Sequence, residues 1–187
     1  MGDDVQTAWT EVYCLRPYNP YRLGGEPNPH FVRALDGRLL DFKQGDKSAI
    51  KLEAEGVLNA LQALKLPKGT ILAIVPGHQE NASNAGRPLA RLVEAIELSD
   101  ASYVASIDTL IRVKTVPKKA GGGSRDLSVD LNSIKVQTPP LLAGATVVVI
   151  DDTATTKGSI GAARALLRRA GAERIAAIAI ACTVKYF

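Results

Sequence analysis

Three short apolar runs dominate the pattern of the chain: Ile71-Leu72-Ala73-Ile74-Val75, Thr146-Val147-Val148-Val149-Ile150 and Ile175–Ala181. Runs of this length without polar alternation suit strands buried on both faces of a parallel sheet. Around them the spacing changes to that of helices. From Lys47 onward, Ile50, Ala54, Val57, Leu58, Leu61 and Leu64 recur three or four residues apart, with Asp46 or Ser48 available as cap and Pro67-Lys68-Gly69 as the stop. Pro88 opens a second helix in which Leu89, Leu92, Val93 and Ile96 form one stripe. Ser159 to Ala170 reads as a third, with Ile160, Ala163, Leu167 and Ala170 on one face and Gly171 as its C-terminal cap. Strand, helix and strand in this order are a βαβ unit. Two such units predict an α/β fold, a mostly parallel central sheet of about five strands with helices on both faces.

Two regions depart from this rhythm. Tyr103–Val113 fits a strand or a helix equally. Residues 1–45 carry Trp9, Tyr18 and Tyr21 among several prolines, with strand-like pieces near Glu11–Leu15 and His30–Leu35. Asp36-Gly37 between Val32–Leu35 and Arg38–Phe42 is a hairpin signal. The expected organisation is a small, partly β appendage or hood over residues 1–45 and a main domain over 46–187. Between Thr115 and Ser133, Lys118, Lys119, Gly121-Gly122-Gly123 and Arg125 occur without a sustained period, as in a binding loop or a lid.

Composition narrows the function classes. With 187 residues, 46% hydrophobic and 22% charged, the chain is long enough for one globular domain, and wholesale disorder is disfavoured. The excess of 23 basic over 19 acidic residues is too small for a nucleic-acid coat and suits an anionic ligand. Nucleic acid is therefore not the favoured partner. No apolar run approaches the roughly 18 residues that span a bilayer, and Met1-Gly2-Asp3-Asp4 is neither basic nor apolar. The expectation is a cytoplasmic protein without a membrane partner. Cys14 and Cys182 cannot form a four-ligand zinc site alone and read as a pair of buried or idle thiols.

The stretch that carries chemistry is Val147 to Ile160. Asp151 and Asp152 stand where a parallel strand ends, at the sheet edge where α/β folds bind ligands. A turn rich in hydroxyls and glycine follows, Thr153-Ala154-Thr155-Thr156-Lys157-Gly158-Ser159, and leads into a helix N-terminus, a natural anion site. Carboxylates beside such a site need to face sugar hydroxyls, a divalent cation or a developing positive charge. A phosphorylated sugar meets both requirements, although the two aspartates alone could also serve the helix dipole.

Strand, acids, turn and helix in this register resemble the type I phosphoribosyltransferases, whose signature runs four apolar residues, two acidic residues, a short spacer, Thr, Gly, and Thr or Ser. Over residues 71 to 183 the chain is most similar to the ComF-like branch, through Val75-Pro76-Gly77-His78, Asn84-Ala85-Gly86-Arg87-Pro88-Leu89-Ala90, Leu141–Ala145 and Leu166–Ala172. The resemblance implies displacement at the anomeric carbon of phosphoribosyl pyrophosphate, with Mg2+ as cofactor and pyrophosphate as leaving group. Asp151 and Asp152 are the implied catalytic and metal-facing residues. Thr153, Thr155, Thr156, Lys157, Gly158 and Ser159 are the implied 5′-phosphate cradle. Pro76, Gly77 and His78 are the implied pyrophosphate turn, with Lys118, Lys119 and Arg125 reaching in from the loop and Arg87 as a weaker candidate. Tyr18 and Tyr21 are candidates for a base-binding hood. A homodimer is compatible with this reading.

Two departures matter. Lys157 occupies the usual glycine position, where a left-handed backbone would cost about 1 kcal/mol, or where it adds charge to the cradle. Thr155 stands where purine-specific members carry an acid, which argues against 6-oxopurine substrates. The departures keep open a non-catalytic regulator or accessory protein that binds phosphoribosyl pyrophosphate or nucleotides. A phosphohydrolase fits less well, since its carboxylates would stand at i and i+2 on an early strand, and a dinucleotide-binding domain fits worse still, because no G-x-G-x-x-G follows a predicted strand.

Overall fold

The computed structural model describes residues 12–117, 127–137, 139–155 and 158–184. Nine strands are described: β1 (Val12–Tyr18), β2 (Arg22–Leu23), β3 (Glu26–Pro27), β4 (Thr70–Ile74), β5 (Tyr103–Ser106), β6 (Leu110–Arg112), β7 (Ile134–Val136), β8 (Thr146–Ala154) and β9 (Arg174–Thr183). The helices are α1 (Arg33–Gln44), α2 (Lys47–Ala63), α3 (Pro88–Ser99), α4 (Leu127–Leu131) and α5 (Gly158–Arg169).

The central sheet has five strands in the order β1-β9-β8-β4-β5, every pair parallel. The expected α/β architecture is thus present. Alternate residues of each strand serve opposite faces. Leu72, Ile74, Val148, Ile150, Ala176 and Ile178 pack with Leu39, Phe42, Val57, Leu61, Leu92 and Ile96 of α1, α2 and α3. Ala73, Val147, Val149, Ile175, Ala177 and Ala179 pack with Ile160, Ala163 and Leu167 of α5 and with Leu110, Ile134 and Leu142. Tyr103–Val113 resolves into β5 and β6, and β6 pairs antiparallel with β7 to form a two-stranded arm under the second face.

The N-terminal residues depart most from the sequence reading. The strand expected near Glu11–Leu15 is β1, but it is the edge strand of the main sheet, paired with β9, and the small β2–β3 pair follows it. Asp36-Gly37 lies inside α1 and forms no hairpin, and His30–Leu35 forms no strand. The physical cause is the Asp36 side chain. Its buried carboxylate accepts from Val32 N at 2.8 Å, closing the first turn of α1, and from Asn19 N at 2.8 Å, tying the helix to the end of β1. Gly37 serves by lacking a Cβ, because Arg33 lies over it to reach Asp41 in a paired contact of 2.7 and 3.1 Å.

α2 begins as expected, with Asp46 accepting from Ala49 N at 2.8 Å. Gly171 ends α5 at φ +97°, a conformation that favours glycine, and Ala172 N donates back to Leu167 O at 3.1 Å. Cys14 and Cys182 are joined as a disulfide, not idle thiols. Their distance in sequence hid the pairing of β1 with β9.

One ion cluster fastens β1 to the helical layer. Glu53 of α2, 2% exposed, takes both guanidinium nitrogens of Arg16 at 2.6 and 2.7 Å, and Arg38 of α1 approaches to 3.7 Å. Removing the carboxylate strands two cations. Glu53→Ala is expected to lower unfolding free energy by about 2–3 kcal/mol, less than the ~3–5 kcal/mol of a fully buried pair because the arginines keep some water. Urea denaturation at pH 7 measures it, and a loss below about 1 kcal/mol would contradict the assigned role.

Candidate functional site

The connection from β4 runs through α3 to β5, and that from β8 runs through α5 to β9. β4 and β8 are neighbours, so the chain leaves this pair in opposite directions. Their C-terminal ends therefore flank the point where an open α/β sheet opens a crevice. Val75-Pro76-Gly77-His78 follows β4, and Asp151, Asp152 and the Thr-rich turn follow the buried part of β8. The structure brings these two predicted segments together, with Val75 N bonded to Ile150 O at 3.0 Å.

β8 is longer than the sequence pattern suggests and carries Asp151, Asp152 and Thr153 within its last residues. All three are half-buried. Strand alternation sends adjacent side chains to opposite faces. Asp152 meets Lys43 of α1 at 3.2 Å. Asp151 Oδ1 accepts from Asp152 N at 2.8 Å. Thr153 Oγ1 is buried and has no hydrogen-bond partner among the described residues. Thr155 Oγ1 lies 2.9 Å from Thr183 Oγ1, binding the start of the turn to the end of β9.

Gly158 and Ser159 open α5, and the Ser159 hydroxyl donates to Asp130 Oδ2 at 3.0 Å. Pro76 is buried, Gly77 and His78 half-buried. Thr156, Lys157, Lys118, Lys119 and Arg125 lie outside the described residues. The expected 115–133 loop is not structureless throughout, since Leu127–Leu131 is a short helix. Tyr18, a hood candidate, is buried in the core instead. Tyr21 does line an open cleft of about 270 Å3 with Phe31, Arg33, Leu40, Asp41 and Gln44, and its ring meets that of Phe31 edge-on at 5.3 Å.

Cations surround the carboxylates. Arg87 packs beneath the β4 turn, its Cζ 3.5 Å from where a Gly77 Cβ would stand, and donates to Asn84 Oδ1 at 2.6 Å and Val75 O at 3.4 Å. Burial lowers its pKa, while Asp152 and then Asp151 act in the opposite sense and Arg112 adds to the lowering. The guanidinium is thus within the electrostatic reach of both aspartates and of a second arginine. Tyr18 shares only the Asp152 charge: burial first, then Asp36 and more weakly Asp152, raise its phenol pKa, against a backbone hydrogen bond from Tyr21.

Lys43, Arg112 and Asp130 were not visible as site residues from sequence. Arg112 and Asp130 did leave a signal, each being a lone charge inside an apolar stretch, Leu110-Ile111-Arg112-Val113 and Leu127-Ser128-Val129-Asp130-Leu131. Among the described residues no cluster of three or more His, Cys, Asp or Glu side chains could hold a metal. One or two carboxylates suit a Mg2+ that keeps its waters and arrives on a polyphosphate, as Mg2+ commonly does.

No protein-family model matches the chain, and no curated protein matches it. Among solved structures, a Trypanosoma cruzi hypoxanthine phosphoribosyltransferase is similar over 79% of this chain and 76% of that chain, at 8% sequence identity and a TM-score of 0.41. A likeness at that level carries no argument about the site.

Paired aspartates in a purely ligand-directed site repel each other, and neutralising them stabilises the fold. Here Lys43 and Arg87 depend on them. The double variant Asp151→Asn/Asp152→Asn is expected to lose about 1 kcal/mol of stability at pH 7, read by thermal and urea unfolding. A gain in stability would overturn this charge assignment.

Proposed function

We propose that the chain is a type I phosphoribosyltransferase, which takes phosphoribosyl pyrophosphate with Mg2+ and transfers the phosphoribosyl group to a base or other nucleophile. The observation that carries the reading is the pairing of two strand-end turns, after β4 and after β8, at the point where the sheet connections diverge. Asp151 and Asp152 lie on β8 just before the second of these turns.

The chemistry follows from charge. The bond between the anomeric carbon and the pyrophosphate oxygen breaks, its electron pair leaves with pyrophosphate, and the nucleophile forms the new bond to that carbon. Positive charge grows on the ribose ring as it does in glycoside hydrolysis. Asp151 and Asp152 face the ribose hydroxyls and stabilise that charge. Thr153, Thr155 and the start of α5 hold the 5′-phosphate through hydroxyl and backbone donors. Thr156, Lys157, Gly158 and Ser159 complete this cradle in the proposal. Pro76, Gly77 and His78, with Arg87 behind them, receive the pyrophosphate, and Lys118, Lys119 and Arg125 are assigned to the same end. Bound Mg2+ supplies neutralisation of the leaving group. The ComF-like affinity rests on the sequence stretches alone.

A second reading has an observation in its favour. Asp152 is already paired with Lys43, and the Ser159 hydroxyl with Asp130, so a protein that binds phosphoribosyl pyrophosphate or a nucleotide without turnover fits the same residues. Mixing the protein with Mg2+, phosphoribosyl pyrophosphate and a panel of bases distinguishes the two. The transferase reading expects pyrophosphate release, reduced at least 100-fold in Asp152→Asn. Calorimetric binding without release across the panel favours the regulator, and absence of binding overturns both.

A further inference from the structure

The most deeply buried charges near the crevice are not the paired aspartates. Arg112 of β6 is 4% exposed and Asp130 of α4 is 0% exposed. Their ion pair spans 2.9 Å, and Arg112 Nη1 also donates to Ser133 Oγ at 2.6 Å. Burying two charges is compensated only by excellent geometry and full hydrogen bonding, and apolar residues of similar volume often stabilise as well or better. The position of this pair therefore calls for a reason other than stability.

Its outward contacts supply one. Arg112 Nε donates to Gly77 O at 2.8 Å. The opposite oxygen of the pair, Asp130 Oδ2, accepts from Ser159 Oγ at 3.0 Å. One buried pair thus touches the turn after β4 and the first turn of α5. The guanidinium is planar, so the direction toward Gly77 is fixed relative to the direction toward Asp130. A trans peptide is planar as well, so fixing the Gly77 carbonyl sends the His78 N–H the other way. The outgoing limb of the loop continues the clamp: Val116 N donates to His78 O at 2.9 Å, Asn81 N to Arg112 O at 2.8 Å, and Glu80 N to Thr115 Oγ1 at 3.0 Å.

We infer that Arg112 and Asp130 are positioning residues that set the two anion-binding turns at the separation required by a ligand carrying a phosphate at one end and a pyrophosphate at the other. The inference rests on the proposed ligand class and deepens it. Neither residue touches the ligand. Each acts through the turn it holds, so a ligand with both ends depends on the pair more than a ligand with one.

Two variants separate positioning from folding. Arg112→Lys keeps a cation beside Asp130 but loses the Nε donor to Gly77. Arg112→Met/Asp130→Leu replaces the whole pair with apolar groups, which preserves folding where single removal would leave a buried charge. Calorimetry with phosphoribosyl pyrophosphate, inorganic pyrophosphate and ribose 5-phosphate is expected to show at least tenfold weaker binding of the two-ended ligand to both variants. Each one-ended probe should weaken less than threefold. Hydrogen exchange of the ligand-free protein is expected to quicken at residues 77–81 in both variants, and at 158–162 in the double variant. A folded double variant with wild-type affinity and exchange overturns the inference, as does equal weakening of all three ligands. If the wild type binds none of them the proposed function falls, and the exchange arm still decides whether the pair positions the turns.

Discussion

The site depends on a constraint of chain chirality. A right-handed crossover from β4 to β5 and another from β8 to β9 travel across the sheet in opposite directions, so their helices must cover opposite faces. The packing obeys this: α3 lies with Leu72, Ile74 and Ile150 on one face, and α5 with Ala73, Val147 and Val149 on the other. Neither of these helices then closes over the ends of the central pair. The crevice is a product of topology before any functional side chain is considered, and the residues that end β4 and β8 occupy it by necessity.

Into that crevice the sequence sends two adjacent carboxylates, which strand alternation turns apart. Asp152 goes to the helical layer and meets Lys43, while both aspartates share the field of Arg87. Desolvation disfavours the Arg87 cation and prevails, while the carboxylates oppose it in part. Positive charge is held beneath the β4 turn, with Arg87 hydrogen-bonded to Asn84 and to the Val75 carbonyl.

The elements that were legible in the sequence were those with unbroken local signals. The three apolar runs became β4, β8 and β9, and the stripes headed by Asp46 and Pro88 became α2 and α3. Asp36-Gly37 misled because the dipeptide is compatible with a hairpin, while its actual role comes from a carboxylate reaching back to Val32 and across to Asn19. The second of those contacts is tertiary and leaves no local mark. The Cys14–Cys182 disulfide was hidden for the same reason, since it required knowing that the first described strand lies beside the last. In the site, Asp151 and Asp152 were legible from their place after an apolar strand. Lys43 was not, because a lysine in the last turn of a helix is ordinary.

The N-terminal elements belong to the body of this fold. Residues 12–44 supply an edge strand and a helix to the main body, and the Arg16–Glu53–Arg38 cluster fixes them against α2. Lys43 thus reaches Asp152 from a helix whose own position is set by buried charge. The cleft formed by Tyr21, Phe31, Leu40 and Gln44 is carried on the same helix and the turn before it. The N-terminal cleft and the Lys43 charge that meets Asp152 at the crevice are therefore carried on one helix.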